Sequence, residues 1–229
     1  MLQTIKTPIH KDGWVFIGVF LFVSALLSLA SEFLGWVGLV MTVWCAYFFR
    51  NPDRVVPLSE GFVVSPADGV VCGINTCPLP AEIGATDGKE YTRISIFLNV
   101  FNVHVNRVPL GGTVVRSIYH PGKFFNASLD KASEHNERQT LVVETSDKVQ
   151  VTFTQIAGLI ARRIRCDVRE GDGVLTGQRF GLIRFGSRMD VYLPKGVTSL
   201  VGMGQKMIAG ETVLADLKSK EKDRQFEVR

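Results

Sequence analysis

Cysteine and histidine are scarce in this chain of 229 residues, which contains four of each. The cysteines form neither a Cys-x-x-Cys motif nor the paired spacing of a zinc site, so we expect reduced thiols and no metal. Nucleic-acid-binding signatures are also missing, and the basic residues are dispersed apart from a short cluster at 162–165. The net charge of +4 and the pI near 8.9 instead suit an anionic membrane surface, and no nucleic acid is expected as a partner.

Long amphipathic helical patterns are absent after residue 50, where short apolar stretches alternate with Gly, Pro, Asp and Asn. This is the pattern of β-strands. Strands are predicted at 62–64, 70–75, 91–97, 103–108, 113–119, 140–144, 149–156, 181–185, 188–193 and 212–215. Short strands at this spacing indicate a β-sandwich or a barrel.

One internal echo joins Asp68-Gly69-Val70 to Asp172-Gly173-Val174. Asp-Gly before a strand is a common turn signal, so turn chemistry explains the echo as well as a duplicated half-domain does. Both explanations stay open at this point.

Residues 14–49 form a long apolar run, interrupted only at Ser31-Glu32, and are predicted to form a membrane-anchoring helical hairpin within residues 1–50. Each half would span about 25 Å as a helix, the short end of what a bilayer of ~30 Å requires. A signal peptide is the main alternative, but no small-residue cleavage site follows the run. Lys6 and Lys11 before the hairpin and Arg50 and Arg54 after it favour a cytoplasmic location for both ends, and a re-entrant hairpin remains an alternative.

The strand pattern of residues 180–194 breaks at Gly186-Ser187. Glycine tolerates strained backbone angles, and its carbonyl is open to attack by the neighbouring hydroxyl of Ser187. The bland interpretation is a turn or a bulge, whose chemistry is only local hydrogen bonding.

Several tracts, taken in order, resemble the short bacterial-type phosphatidylserine decarboxylases. They are FRNPDR at 49–54, VVSPADGVV at 63–71, NVFNVHVNRVP at 99–109, YHPGKFFNASLDKASEHNER at 119–138, IARRI at 160–164 and GLIRFGSRMDVYLP at 181–194. The resemblance implies a duplicated β-sandwich or barrel-like catalytic domain at 51–229, on the cytoplasmic face of the cell membrane.

The resemblance also implies that the chain makes its own cofactor. Ser187 Oγ would attack the Gly186 carbonyl, and elimination and hydrolysis would leave a pyruvoyl group at residue 187. The fragments 1–186 and 187–229 would stay together as a heterodimer, and a homo-oligomer is left open. A pyruvoyl group acts as an electron sink through a Schiff base, so the chain would convert phosphatidylserine in the membrane to phosphatidylethanolamine and CO₂.

Ser187 needs a base and an orienting carboxylate to act as a nucleophile. His104, in the matching tract 99–109, is the first choice for base, and Asp68 in SPADG is the carboxylate that the resemblance implies. Longer relatives have a second histidine where this chain has Arg107, and a guanidinium cannot act as a base. His120 is predicted to take that role if it faces His104 across an antiparallel pair.

The substrate's phosphate and carboxylate need cationic or amide donors, for which Arg184, Arg188, Lys123 and Arg138 are candidates. Two other functions remain as alternatives. The same chemistry would serve another serine phospholipid, such as an archaetidylserine-like ether lipid, and a non-enzymatic membrane-tethered β-domain would use the Gly-Ser pair only as a bulge.

Overall fold

The computed structural model describes residues 7–84, 89–122, 136–158, 163–184, 187–219, 224 and 226–227. The chain divides into two compact units, one of residues 1–53 with 101–103 and the other of residues 54–100 with 104–229. The first unit contains helix α1 (Gly13–Ala30) and helix α2 (Glu32–Phe48), and Ser31 between them is extended. The two helices predicted from the apolar run are confirmed.

Small residues line the contact between the two helices. Ser24 Oγ lies 3.3 Å from Thr42 Oγ1, and a Cβ on Gly38 would collide with Ser24. Such close approach is typical of helices that pack within a bilayer. The outward side chains are large, apolar and exposed, among them Trp14, Phe22, Leu29, Phe33, Trp36 and Val40. Among the described helices, α1 is long and apolar enough to cross a membrane.

The second unit is built from strands and one short 3₁₀ turn, Ala81–Ile83. The strands are β1 Phe62–Val64, β2 Gly69–Cys77, β3 Tyr91–Leu98, β4 Val105–Arg107, β5 Gly112–His120, β6 Arg138–Glu144, β7 Gln150–Ala157, β8 Ile164–Cys166, β9 Gly173–Val174, β10 Arg179–Ile183, β11 Ser187–Leu193, β12 Lys206–Met207 and β13 Val213–Asp216. Each predicted strand overlaps an observed one. Three strands of two or three residues, β8, β9 and β12, are not predicted by the sequence pattern.

The strands form an eight-stranded sheet in the order β12-β2-β3-β11-β7-β6-β5-β9, a three-stranded sheet β4-β10-β8 and the pair β1-β13. Apolar side chains from the large sheet and from β10 meet in one core. Phe153 of β7 and Phe180 of β10 contact edge to face, with ring centroids 5.2 Å apart. The predicted mostly β, sandwich-like or barrel-like class is confirmed, with curled sheets in place of a closed barrel.

The second unit is internally duplicated, as its backbone hydrogen bonds show. Val64 N donates to the Pro109 carbonyl and Arg107 N donates to the Pro66 carbonyl, a reciprocal exchange. The bulges of β2 and β5 follow Val71 and Val114, and Cβ atoms on Gly69 and Gly112 would each collide with a carbonyl of the neighbouring strand. Gly69 is thus equivalent to Gly112.

The Asp68-Gly69 and Asp172-Gly173 echo does not mark this duplication. Gly69 begins β2, which lies inside the sheet, whereas Gly173 begins the edge strand β9. The two Asp-Gly pairs are therefore turn signals before two strands that are not equivalent in the duplication.

Candidate active site

The break at Gly186-Ser187 falls where the chain passes from one sheet to another. β10 ends at Ile183 in the three-stranded sheet, and β11 begins at Ser187 in the middle of the eight-stranded sheet. Gly186 itself lies outside the described residues. A bulge within one continuous strand, one form of the bland interpretation, is therefore wrong, because the strands on either side belong to different sheets.

Ser187 is fully buried at the start of β11, opposite Leu98 of β3 and Ala157 of β7. Its side chain points to the same face as Met189 and Val191, which belong to the core. Within the described residues its Oγ has no hydrogen-bond partner. A buried hydroxyl without a partner is costly and calls for an explanation, of which a catalytic role is one.

His104 is fully buried and immediately precedes β4. Its carbonyl oxygen accepts a hydrogen bond of 3.3 Å from the Ile183 amide, at the end of β10. The backbone of His104 is thus fixed beside the segment that leads to Ser187. The sequence analysis placed His104 inside a strand at 103–108, whereas the strand begins at Val105.

The Asp68 carboxylate has a different partner from the one expected. Arg54 Nη2 donates to both carboxylate oxygens, at 2.9 and 2.8 Å, and the Ala209 amide donates to Oδ1 at 2.8 Å. These are the contacts of Asp68 within the described part of the chain, and His104 is not among them. Arg54 stands in the tract FRNPDR, so the sequence pointed to this arginine without giving its role.

Arg107 lies beside the same ion pair. Its Nη1 donates to the Gly177 carbonyl at 2.7 Å, and a Cβ on Gly210 would come within 2.9 Å of Arg107 Cδ and 3.7 Å of Arg54 Cβ. Gly210 also has a positive φ of 79°. Glycine suits this place because its backbone is left-handed and a Cβ would press on the Arg107 stem.

The predicted pairing of His120 with His104 is wrong. His120 ends β5 opposite Arg138 of β6, whereas β4 pairs with β10. His120 is also exposed, whereas His104 is fully buried. The two segments follow each other closely along the chain, but the duplication places β4 and β5 in different sheets.

A family model described as phosphatidylserine decarboxylase matches residues 41–215. The chain belongs to the phosphatidylserine decarboxylase family. The resemblance found in the sequence tracts is confirmed, and the matched region includes Asp68, His104 and Ser187.

Three relatives carry the name phosphatidylserine decarboxylase proenzyme. The protein of Cereibacter sphaeroides is 57% identical over 222 residues, covering 96% of this chain and 95% of its own. That of Ruegeria pomeroyi is 56% identical and covers 95% and 99%. That of Paramagnetospirillum magneticum is 54% identical and covers 97% and 92%. The similarity therefore extends over nearly the whole length of each protein.

Of the four candidate cations for the decarboxylase substrate, two lie in buried ion pairs. Arg188 donates from Nε and Nη2 to the two Asp190 oxygens at 2.7 and 2.8 Å, and both side chains are almost fully buried. A buried charge is tolerated when it is paired and hydrogen-bonded, and Arg93 adds a second positive charge that interacts with Asp190. Arg188 is thus part of the fold on the face of β11 opposite to Ser187.

Arg138 pairs with Glu82, its Nε and Nη2 donating to the two carboxylate oxygens at 2.6 and 3.0 Å. Burial raises the pKa of Glu82, but the hydrogen bonds and charge of Arg138, with help from Thr140, outweigh it and hold the pKa below its usual value. Arg184 is half-buried and directly follows β10, three residues before Ser187 in the chain. Lys123 lies outside the described residues.

Sequence reasoning missed two polar residues of the site, Asn106 and Gln155. Both are fully buried and hydrogen-bonded to each other between the sheets. Asn106 stands in the tract 99–109, but nothing local distinguishes it from a strand asparagine, and Gln155 lies in a strand without a motif.

Proposed function

We propose that this chain is a membrane-bound proenzyme that cleaves itself between Gly186 and Ser187, forms a pyruvoyl group at residue 187 and decarboxylates phosphatidylserine to phosphatidylethanolamine. The observation that supports this most is Ser187 itself. It is buried, its Oγ has no partner in the described part of the chain, and it begins a central strand directly after a crossing between sheets. Membership of the decarboxylase family gives the reaction class.

The residues present fit a pyruvoyl group. A serine at the start of a strand supplies its carbon atoms, and Ser187 is shielded from bulk solvent. When formed, the group supplies the electron sink that decarboxylation of an α-amino acid requires. Proton transfer and contact with the head group are assigned to side chains of this chain.

His104 is proposed as the base that takes the Ser187 hydroxyl proton, because it is buried and its backbone is tied to the end of β10. The Arg54–Asp68 ion pair is proposed to act on His104 only indirectly, through the backbone. The carbonyl of Pro66, two residues before Asp68, accepts a hydrogen bond from the Arg107 amide at the end of β4, the strand that follows His104. Arg184 is proposed to contact the anionic head group. His120 has no support from the geometry.

The two fragments would remain associated after cleavage. β11 begins the second fragment, and it is hydrogen-bonded along its length to β3 and β7 of the first. β12 and β13, also in the second fragment, pair with β2 and β1. Four separate strand pairings thus support the proposed heterodimer.

Intact-mass measurement of the purified protein tests self-cleavage. Under denaturing conditions we expect fragments 1–186 and 187–229, the second blocked at its N-terminus and lighter by one ammonia than a peptide beginning with serine. Under native conditions the two should travel as one species. An active preparation that contains only full-length chain would contradict the proposal.

The substrate phosphatidylserine is proposed to reach the site from a bilayer in which the helical hairpin is inserted, with both ends in the cytoplasm. The large exposed apolar side chains of α1 and α2 support insertion, because such surfaces are rare on soluble monomers. The basic residues that flank the apolar run support the orientation.

Deletion of residues 1–49 should lower the rate on vesicle phosphatidylserine at least tenfold more than the rate on a detergent-dispersed short-chain substrate. The anchor raises the local substrate concentration and contributes no chemistry. The matched control is a chain in which an unrelated transmembrane hairpin replaces residues 1–49, which should restore the vesicle rate. Equal losses on both substrates would show that the hairpin belongs to the catalytic fold.

A further inference from the structure

A pair of fully buried amide side chains lies between the two sheets, Asn106 in β4 and Gln155 in β7. Gln155 Nε2 donates to Asn106 Oδ1 at 2.9 Å and to the Arg165 carbonyl at 3.4 Å. Only the NH₂ group of Gln155 can donate to a carbonyl oxygen, so these two bonds fix the orientation of both amides. Asn106 therefore directs its Nδ2 away from Gln155.

The space for this pair depends on Gly181, which lies opposite Asn106 in the pairing of β10 with β4. A Cβ at Gly181 would collide with the Arg165 carbonyl and would lie 3.1 Å from Gln155 Nε2. Gly181 stands in the same tract as Ser187, at 181–194. The amide pair and the cleavage segment are thus built from neighbouring parts of the chain.

Three buried polar atoms in this region lack a hydrogen-bond partner among the described residues: Asn106 Nδ2, Gln155 Oε1 and Ser187 Oγ. Gln155 lies directly opposite Met189 of β11, and Ser187 lies on the same face opposite Ala157. Gln155 and Ser187 are therefore diagonal neighbours on adjacent strands, within reach of a long side chain. Gln155 Oε1, an acceptor without a partner among the described residues, thus lies near the Ser187 hydroxyl, and Asn106 is joined to this place through its hydrogen bond with Gln155.

We propose that the Asn106–Gln155 pair serves the self-cleavage step. Asn106 Nδ2 and Ser187 Oγ are not hydrogen-bonded to each other in this structure, and the bond from Nδ2 to Oγ forms as the hydroxyl attacks, with Gln155 acting as the positioning residue that orients Asn106. This inference rests on the proposed self-cleavage. A hydroxyl that accepts from an amide keeps its own hydrogen directed elsewhere, available to the base His104. The bond also strengthens as negative charge develops on Oγ.

Self-cleavage exchanges one bond of the Gly186 carbonyl carbon for another. A bond forms between this carbon and Ser187 Oγ, and the peptide bond from this carbon to the Ser187 nitrogen breaks. The hydroxyl proton passes through the base to that nitrogen. The nitrogen becomes an amine with an additional N–H. Gln155 Oε1, a buried acceptor without a partner within the described residues, is the group to receive it.

Pulse-labelled proenzyme followed by denaturing gel tests the inference through cleavage, independently of decarboxylation. Asn106→Leu, similar in size but without a donor, should slow cleavage about 10- to 100-fold, the usual effect of a hydrogen bond to a group that becomes charged. The matched control is Thr154→Val in β7. It removes a buried hydrogen bond to Thr140 on the opposite face and should cleave at the wild-type rate.

Asn106→Asp separates the donor from a structural role, because it keeps the acceptor for Gln155 Nε2 and loses the donor when ionised. Relative to the wild-type chain at the same pH, its cleavage should be slow where the carboxyl is ionised and should recover as the pH falls, since a protonated carboxyl can donate. The comparison at equal pH cancels the protonation of His104. Wild-type rates in both Asn106 variants, or a ratio of Asn106→Asp to wild type that stays low at every pH, would overturn the inference. Failure of the wild-type chain to cleave would instead overturn the proposed function.

Discussion

Ser187→Ala should give one uncut chain of full length and no decarboxylase activity. Alanine keeps the strand pairing of β11 with β3 and β7, so the fold should persist. The variant lacks the oxygen that is proposed to attack Gly186 and then to leave in the elimination that forms a pyruvoyl group, so the loss should be complete and not partial. A denaturing gel and an assay of CO₂ release measure the two effects.

Ser95→Ala is a closely matched control for this variant. Ser95 lies in β3, is buried, and like Ser187 has an Oγ without a partner among the described residues. It lies opposite Asp190, on the other face of the sheet from Ser187. The Ser95→Ala chain should cleave and decarboxylate at the wild-type rates. Loss of a buried, partnerless hydroxyl alone would then not explain the effect at residue 187. Two fragments from Ser187→Ala would place the cleavage elsewhere.

The local pattern of the chain predicted the strands, because alternation of apolar and polar residues is a property of each strand alone. It predicted β1 with its bounds, and it predicted the break before Ser187. It could not predict that the break is a crossing between sheets. That depends on which strands pair, and β11 pairs with β3 and β7, which are distant in sequence.

The partners of the predicted site residues were equally out of reach. The sequence suggested Asp68 as the orienting group for His104, but the carboxylate binds Arg54 and the Ala209 amide. His120 was suggested because it follows His104 closely, and the duplication of the fold separates them. The amide pair of Asn106 and Gln155 arises only where β4 and β7 approach across the core.

The two faces of β11 explain why its central position suits self-cleavage. One face carries Ser187 into the core beside the amide pair, and the other carries the buried Arg188–Asp190 ion pair. Packing on both faces and hydrogen bonds along both edges therefore fix β11 before the chain is cut. Cleavage at its first residue would remove one covalent bond and leave these contacts in place.

His104→Gln should slow self-cleavage by about 100- to 10,000-fold, the usual contribution of a general base. Glutamine is similar in size and can keep the backbone bond from Ile183 to residue 104, but its amide cannot accept a proton at neutral pH. The rate is measured by pulse labelling, and the fold by thermal unfolding, because His104 is fully buried and a packing defect must be separated from lost chemistry.

His10→Gln and His120→Gln are the matched controls for this variant, one in the first unit and one at the exposed end of β5. Both should cleave at the wild-type rate, because neither residue is tied to the end of β10. A slow His104→Gln chain left until cleavage is complete would then report the second reaction separately. Normal CO₂ release from it would confine His104 to self-cleavage, whereas wild-type cleavage by the fresh chain would remove His104 as the base.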